Sequence, residues 1–125
     1  IIDKVTIASA GNATDFGDLT GTKYNNNSTS SSTRALTAGG NGYKNVIEYV
    51  TYSSSGGGND FGDLTAATRH GAQGVISSGT RGIFAGGDTS GGQSDTIEFV
   101  TIATLGNATD FGNWLEIMEL LVVVK

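Results

Sequence analysis

Three times along the chain a strand-like pentapeptide is followed by an Asp-Phe-Gly. Ile2-Asp3-Lys4-Val5-Thr6, Ile47-Glu48-Tyr49-Val50-Thr51 and Ile97-Glu98-Phe99-Val100-Thr101 precede Asp15-Phe16-Gly17, Asp60-Phe61-Gly62 and Asp110-Phe111-Gly112. A third element, Thr33-Arg34-Ala35-Leu36-Thr37-Ala38-Gly39-Gly40, returns as Thr80-Arg81-Gly82-Ile83-Phe84-Ala85-Gly86-Gly87. Markers that keep their order define a repeat, and a repeat buries its faces against its neighbours instead of folding alone. Val5 to Val50 is 45 residues and Val50 to Val100 is 50. That is the length of a four-stranded propeller blade and too long for a leucine-rich, ankyrin or helical-hairpin unit.

Each repeat reads as four short strands. Ile47 to Tyr52 alternates, placing Ile47, Tyr49 and Thr51 on one face and Glu48, Val50 and Tyr52 on the other. Thr33 to Ala38 and Arg81 to Ala85 are short and stop at Gly-Gly, strand chemistry ended by a turn that tolerates positive φ. Gln73 to Ser77 supplies a further strand, matched more weakly by Tyr24 to Ser30. The expected fold is all-β: antiparallel four-stranded blades of about 45–50 residues that form an incomplete ring in one chain. The repeat domain covers 1–114, divided into a partial blade at 1–20, a blade at 24–65 and a blade at 69–114, with an atypical segment at 115–125.

Composition narrows the functional classes. Twenty glycines, no proline and 37% hydrophobic residues in 125 give a thin core in which glycines punctuate strands. The absence of cysteine excludes disulfides and thiolate metal sites. A net charge of -5 with seven Lys and Arg argues against nucleic acid as a partner, because phosphate binding needs clustered cations. No apolar run reaches the length of about 18 residues that spans a bilayer, so no membrane partner is expected. Ile1 in place of Met points to a processed chain or a piece of a longer one.

The order of strands resembles the kelch-type propeller blade. In that family a double glycine closes the second strand, an aromatic-acidic pair marks the third, and a Trp before a Leu marks the fourth, with an Arg leading onward. Gly86-Gly87, Glu98-Phe99, Phe61 before Leu64, and Arg69 stand in matching places. Phe replaces the preferred Trp, and the acidic residue precedes the aromatic instead of following it. The repeat string, of which Val100 to Gly112 is almost a full copy, is more closely similar to repeats in virion structural and tail-associated proteins of marine cyanobacterial phages. The resemblance covers residues 2 to about 114. It implies a structural repeat marked by Phe16, Phe61, Phe111, Arg34, Arg81, Glu48 and Glu98.

Repeat length varies in two loops. Phe16 to Arg34 is 18 residues against 20 for Phe61 to Arg81, and Gly40 to Ile47 is seven against ten for Gly87 to Ile97. Variable Gly/Ser/Asn loops are where such folds place contacts, so Asn41, Tyr43, Asp88, Ser90 and Gln93 are the candidate partner-contact residues.

After Gly112 the pattern fails. Asn113 to Lys125 holds the only Trp and the only Met and no glycine. Three accounts are open: a helix over 114–121, a strand over 121–124, or a one-base shift of reading frame near codon 114. Back-translating and inserting one T after the first T of the TGG codon restores Asn-Leu-Ala-Gly-Asp-Tyr-Gly-Thr-Ala-Cys-Cys-Ser-Lys, which has the look of the repeat.

No catalytic site, cofactor or metal is expected. His70 is the only histidine, no Gly-x-Ser-x-Gly elbow occurs, and the glycine tracts lack the Gly-Lys-Ser/Thr of a phosphate loop. Asn12, Asp15 and Asp18, repeated as Asn59, Asp60 and Asp63, carry oxygens that suit Ca²⁺, but turn formation by Asn and Asp is the stronger reading. Arg34 and Arg81 are expected to pair with Glu48, Glu98 or an Asp of the next blade. Tyr24, Tyr43 and Tyr52 are read as core or strand residues ahead of sugar-stacking platforms.

The resemblance implies a non-enzymatic structural module of a phage virion, in a tail, fibre or decoration protein, located on the particle and extracellular after assembly. Its partners would be copies of itself or other virion proteins. The alternative is an adhesin module on the same fold that holds a host surface glycan or protein.

Overall fold

In the computed structural model, residues 1–69 and 74–115 are described, and every regular element among them is a β-strand. β1 (Ile2–Lys4) and β2 (Thr14–Gly17) form an antiparallel pair. β3 (Asn27–Ser30), β4 (Arg34–Ala38), β5 (Lys44–Thr51) and β6 (Asn59–Thr68) form a four-stranded meander. β7 (Gly74–Ser77) and β8 (Arg81–Ala85) lead into the second such sheet, and the chain then makes a small hairpin of β9 (Asp88–Thr89) and β10 (Gly92–Gln93). β11 (Thr96–Thr101) and β12 (Thr109–Asn113) complete that sheet in the order β12-β11-β8-β7. All pairings are antiparallel, and the sheets close no ring.

Three boundaries differ from those expected. The strand read from Tyr24 begins only at Asn27, because Asn25 takes a φ of 56° and turns the chain out of the extended region. β6 runs on to Thr68, past the expected limit at 65, because Thr68 pairs with Lys44 across a bulge. The longer loop after Gly87 forms the β9–β10 hairpin, closed by the Thr89 hydroxyl donating to the Gly92 carbonyl at 2.8 Å. His70, Gln73 and the segment from 116 onward, including the expected helix, strand and altered frame, lie outside the described residues.

The Asp-Phe-Gly element has one structural meaning in all three copies. Ile2 pairs with Gly17 and Asp3 with Asp15, Ile47 with Gly62 and Glu48 with Asp60, Ile97 with Gly112 and Glu98 with Asp110. Each Phe is therefore the extra residue of a β-bulge, which redirects its side chain. The following Gly takes a φ of 155°, 149° or 147°, a region that disfavours side chains.

The core lies between the two four-stranded sheets. Leu36, Ala38, Ile47, Phe61 and Leu64 from one meet Phe84, Val100 and Ile102 from the other. Their β3 and β7 edges touch: Thr29 on β3 donates to the Ile76 carbonyl on β7 at 3.2 Å, and a Cβ on Gly82 of β8 would lie 2.6 Å from the Thr29 methyl. Both faces of β5 are covered, so Ile47 and its neighbour Glu48 each show no exposed surface.

Candidate functional site

The most organised polar structure is the seam between repeats. The loop that leaves β5 lies along β2: the Gly56 N–H donates to the Phe16 carbonyl at 2.9 Å and the Gly58 N–H to the Asp18 carbonyl at 2.6 Å. The loop that leaves β11 repeats this on β6, with Gly106 N–H to the Phe61 carbonyl at 2.9 Å and Ala108 N–H to the Asp63 carbonyl at 2.8 Å. In the second seam the Asn107 carboxamide oxygen also accepts from the Asp63 N–H at 3.0 Å. The bulge glycine makes the approach possible, since a Cβ on Gly17 would lie 2.2 Å from the Gly56 oxygen and one on Gly62 would lie 2.3 Å from the Gly106 oxygen.

A buried carboxylate clamps each seam. Glu48 accepts from the Thr20 N–H at 2.8 Å and from the Thr20 hydroxyl, and Glu98 accepts from the Thr65 N–H at 2.7 Å. Burial pushes the Glu48 carboxyl up, but Lys23, 2.6 Å away, and the Thr20 donors outweigh it and hold the group below its ordinary value. Thr68 stands 45 residues after Lys23, and its buried hydroxyl has no hydrogen-bond partner among the described residues. Among the described residues no cation pairs with Glu98, and burial, aided by Asp110, outweighs the Thr65 bonds and raises its carboxyl above the ordinary value.

These opposite directions set a pH signature. Folded Glu98 binds its proton more tightly than the unfolded side chain, so its share of stability falls as pH rises from the ordinary 4.5 toward its elevated value. Acidifying from neutral to about pH 5 should raise the wild-type urea midpoint relative to that of Glu98→Gln. Parallel pH profiles of the two proteins would refute this assignment.

Among the described residues, Arg34 and Arg81 form no ion pair with a carboxylate. Each guanidinium lies over an aromatic ring on the adjacent strand of its own sheet, Arg34 at 4.6 Å from the Tyr49 centroid and Arg81 at 4.5 Å from that of Phe99. Arg34 also donates to the Ile102 carbonyl of the next repeat at 2.9 Å. Cross-strand register explains the geometry, because Arg34 opposes Thr51 and Arg81 opposes Thr101, one same-face step from the ring.

The candidate contact loops gather at one end of the sheets, joined through the end of β6. The Gly40 N–H donates to the Thr68 carbonyl at 3.2 Å, and the Arg69 N–H donates to the Asp88 carbonyl at 2.7 Å. Asn41 is half-buried; its backbone N–H donates to the Tyr24 carbonyl at 2.9 Å and its side chain to the Tyr24 hydroxyl. Asp88 is half-buried in the hairpin, whereas Ser90 and Gln93 are exposed on it. Tyr24, Tyr43 and Tyr52 lie outside the strands and are 57%, 38% and 47% exposed, which corrects the core reading. Tyr43 holds a φ of 57°, an unusual conformation for an aromatic residue, and Asn25 beside Tyr24 holds 56°. Sequence reasoning missed this pairing of exposure with strain, for which the only signal was the Asn-Gly-Tyr turn.

The Asn/Asp turns bond to backbone: the Asn59 carboxamide donates to the Gly57 carbonyl at 3.2 Å and Asp110 accepts from the Gly112 N–H at 3.0 Å. No group of three or more His, Cys, Asp or Glu side chains is assembled among the described residues. Comparison with models of known protein families and with curated proteins finds no match to this chain.

Proposed function

We propose that the chain is a non-enzymatic structural module of a phage particle, made of kelch-like blades in a tail, fibre or decoration protein. One observation carries the reading: both seams use the same clamp, with two backbone hydrogen bonds over a bulge glycine and a buried Glu on the preceding Thr. The buried carboxylates Glu48 and Glu98 are thus both committed to joining repeat to repeat. The repeat string resembles repeats of virion structural and tail-associated proteins, which supports this reading. Antibody raised against the chain should label the tail or fibre of particles that encode it in immuno-electron microscopy, and unlabelled particles would sink the proposal.

A receptor-binding role on the same fold has its own support. The loop end carries exposed Tyr24 and Tyr43 beside two strained backbone positions, and aromatic faces with polar tips suit wet recognition of sugars or protein. An adhesin should gain thermal stability with host surface oligosaccharides, and Tyr43→Ala should remove the gain.

A further inference from the structure

The two edges of the molecule carry matching halves of the seam, and both halves are open. At one edge, Phe111-Gly112-Asn113 stands 50 residues after Phe61-Gly62-Asp63, with the same bulge and a φ of 147° at Gly112 against 149° at Gly62. Phe61 is 3% exposed beneath its neighbour, whereas Phe111 is 59% exposed, and among the described residues nothing lies within 4 Å of where a Gly112 Cβ would be. At the other edge, Gly11-Asn12-Ala13-Thr14-Asp15-Phe16-Gly17 is identical to Gly106-Asn107-Ala108-Thr109-Asp110-Phe111-Gly112. The Gly106 copy already docks on Phe61-Gly62-Asp63, whereas residues 11–13 are exposed and Gly11 has nothing within 4 Å of its Cβ position.

We infer that a second copy of this chain occupies the open edge, its residues 11–13 docking on residues 111–113 of the first. The Gly11 and Ala13 N–H groups donate to the Phe111 and Asn113 carbonyls, as Gly106 and Ala108 donate to Phe61 and Asp63. The Asn12 carboxamide oxygen takes the Asn113 N–H, as Asn107 takes that of Asp63. Docking covers Phe111 and satisfies the outer strand edge. The contact is heterologous, so it propagates head to tail and makes a ring where the rotation closes or a filament where it does not. This deepens the self-association part of the reading above and is independent of where on a particle the module sits.

The chain has no cysteine, so thiols can be placed at will. Light scattering of the full chain should give at least twice its 12.8 kDa, and Gly112→Ala should return it to one chain mass while keeping the wild-type circular dichroism, because its Cβ meets nothing among the described residues. Mixing Asn12→Cys with Asn113→Cys under mild oxidation should give a cross-linked pair far faster than either variant alone. That readout needs no loss-of-association variant to fold. A wild-type chain that stays at 12.8 kDa, or cross-links no faster in the mixture, overturns the inference and leaves a neighbouring repeat of a longer polypeptide as the occupant.

Discussion

Gly62→Ala is expected to destabilise the chain by about 2–5 kcal/mol, enough to unfold much of a marginally stable domain. Two physical effects add. The backbone at Gly62 holds a φ of 149°, which a side chain resists, and the new Cβ would lie 2.3 Å from the Gly106 oxygen, 2.5 Å from its carbonyl carbon and 2.9 Å from the Asn107 nitrogen. All three are backbone atoms, so relief means lifting the loop and losing the Gly106 and Ala108 hydrogen bonds. Gly112→Ala is the matched control, with the same motif and a φ of 147° but open space around the Cβ. Urea unfolding of both at a concentration where each is monomeric isolates the clash. The Gly62 variant should lose at least twice the free energy that the Gly112 variant loses, and equal losses would show that the seam contributes little.

Lys23→Ala should cost about 3–5 kcal/mol, because it leaves a buried carboxylate without its cation. The Lys23 and Glu48 side chains are 6% and 0% exposed and 2.6 Å apart. Exposed ion pairs contribute little, but removing one partner of a buried pair strands the other. The pH dependence should change sign. In the wild type the Glu48 carboxyl is held below its ordinary value, so its stabilising share is present above 4.5 and is lost as pH falls through its depressed value. Without Lys23, burial dominates, the carboxyl rises above the ordinary value, and the variant should gain stability on acidification. Lys23→Met combined with Glu48→Gln should recover most of the loss, since the stranded charge is gone. A Lys23→Ala midpoint within error of wild type at neutral pH would refute the buried-pair account.

The strands around the repeat markers were legible because their signals are local. Arg81 to Ala85 and the Gly86-Gly87 stop needed only a short apolar run and a turn with positive φ, observed at 71° and 122°. Loop lengths also located the difference between repeats, though not that the longer loop would pair as β9 and β10. Arg34 and Arg81 were misread because their recurrence beside the Gly-Gly strands suggested an ion pair within or between blades, whereas cross-strand register set them over Tyr49 and Phe99. The tyrosines were misread because an aromatic residue beside a strand does not reveal whether a neighbouring sheet covers it.

The sequence by itself determined the all-β class, the repeat period, the strand order within a repeat and the glycine turns. The period follows from the recurrence of the same markers along the chain, and the strands and turns follow from alternation and φ preference over a few residues. Only the tertiary structure decided which identical motifs are equivalent in energy. Phe16, Phe61 and Phe111 share one motif, yet two are buried and the third is exposed, because only two have a following repeat against them. Alternation placed Glu48 on a face with Val50 and Tyr52 but did not show its burial, which arises because Thr20 and Lys23, in the segment that follows β2, lie against its carboxylate. Burial and pairing depend on contacts between repeats tens of residues apart, and local preference carries no information about them.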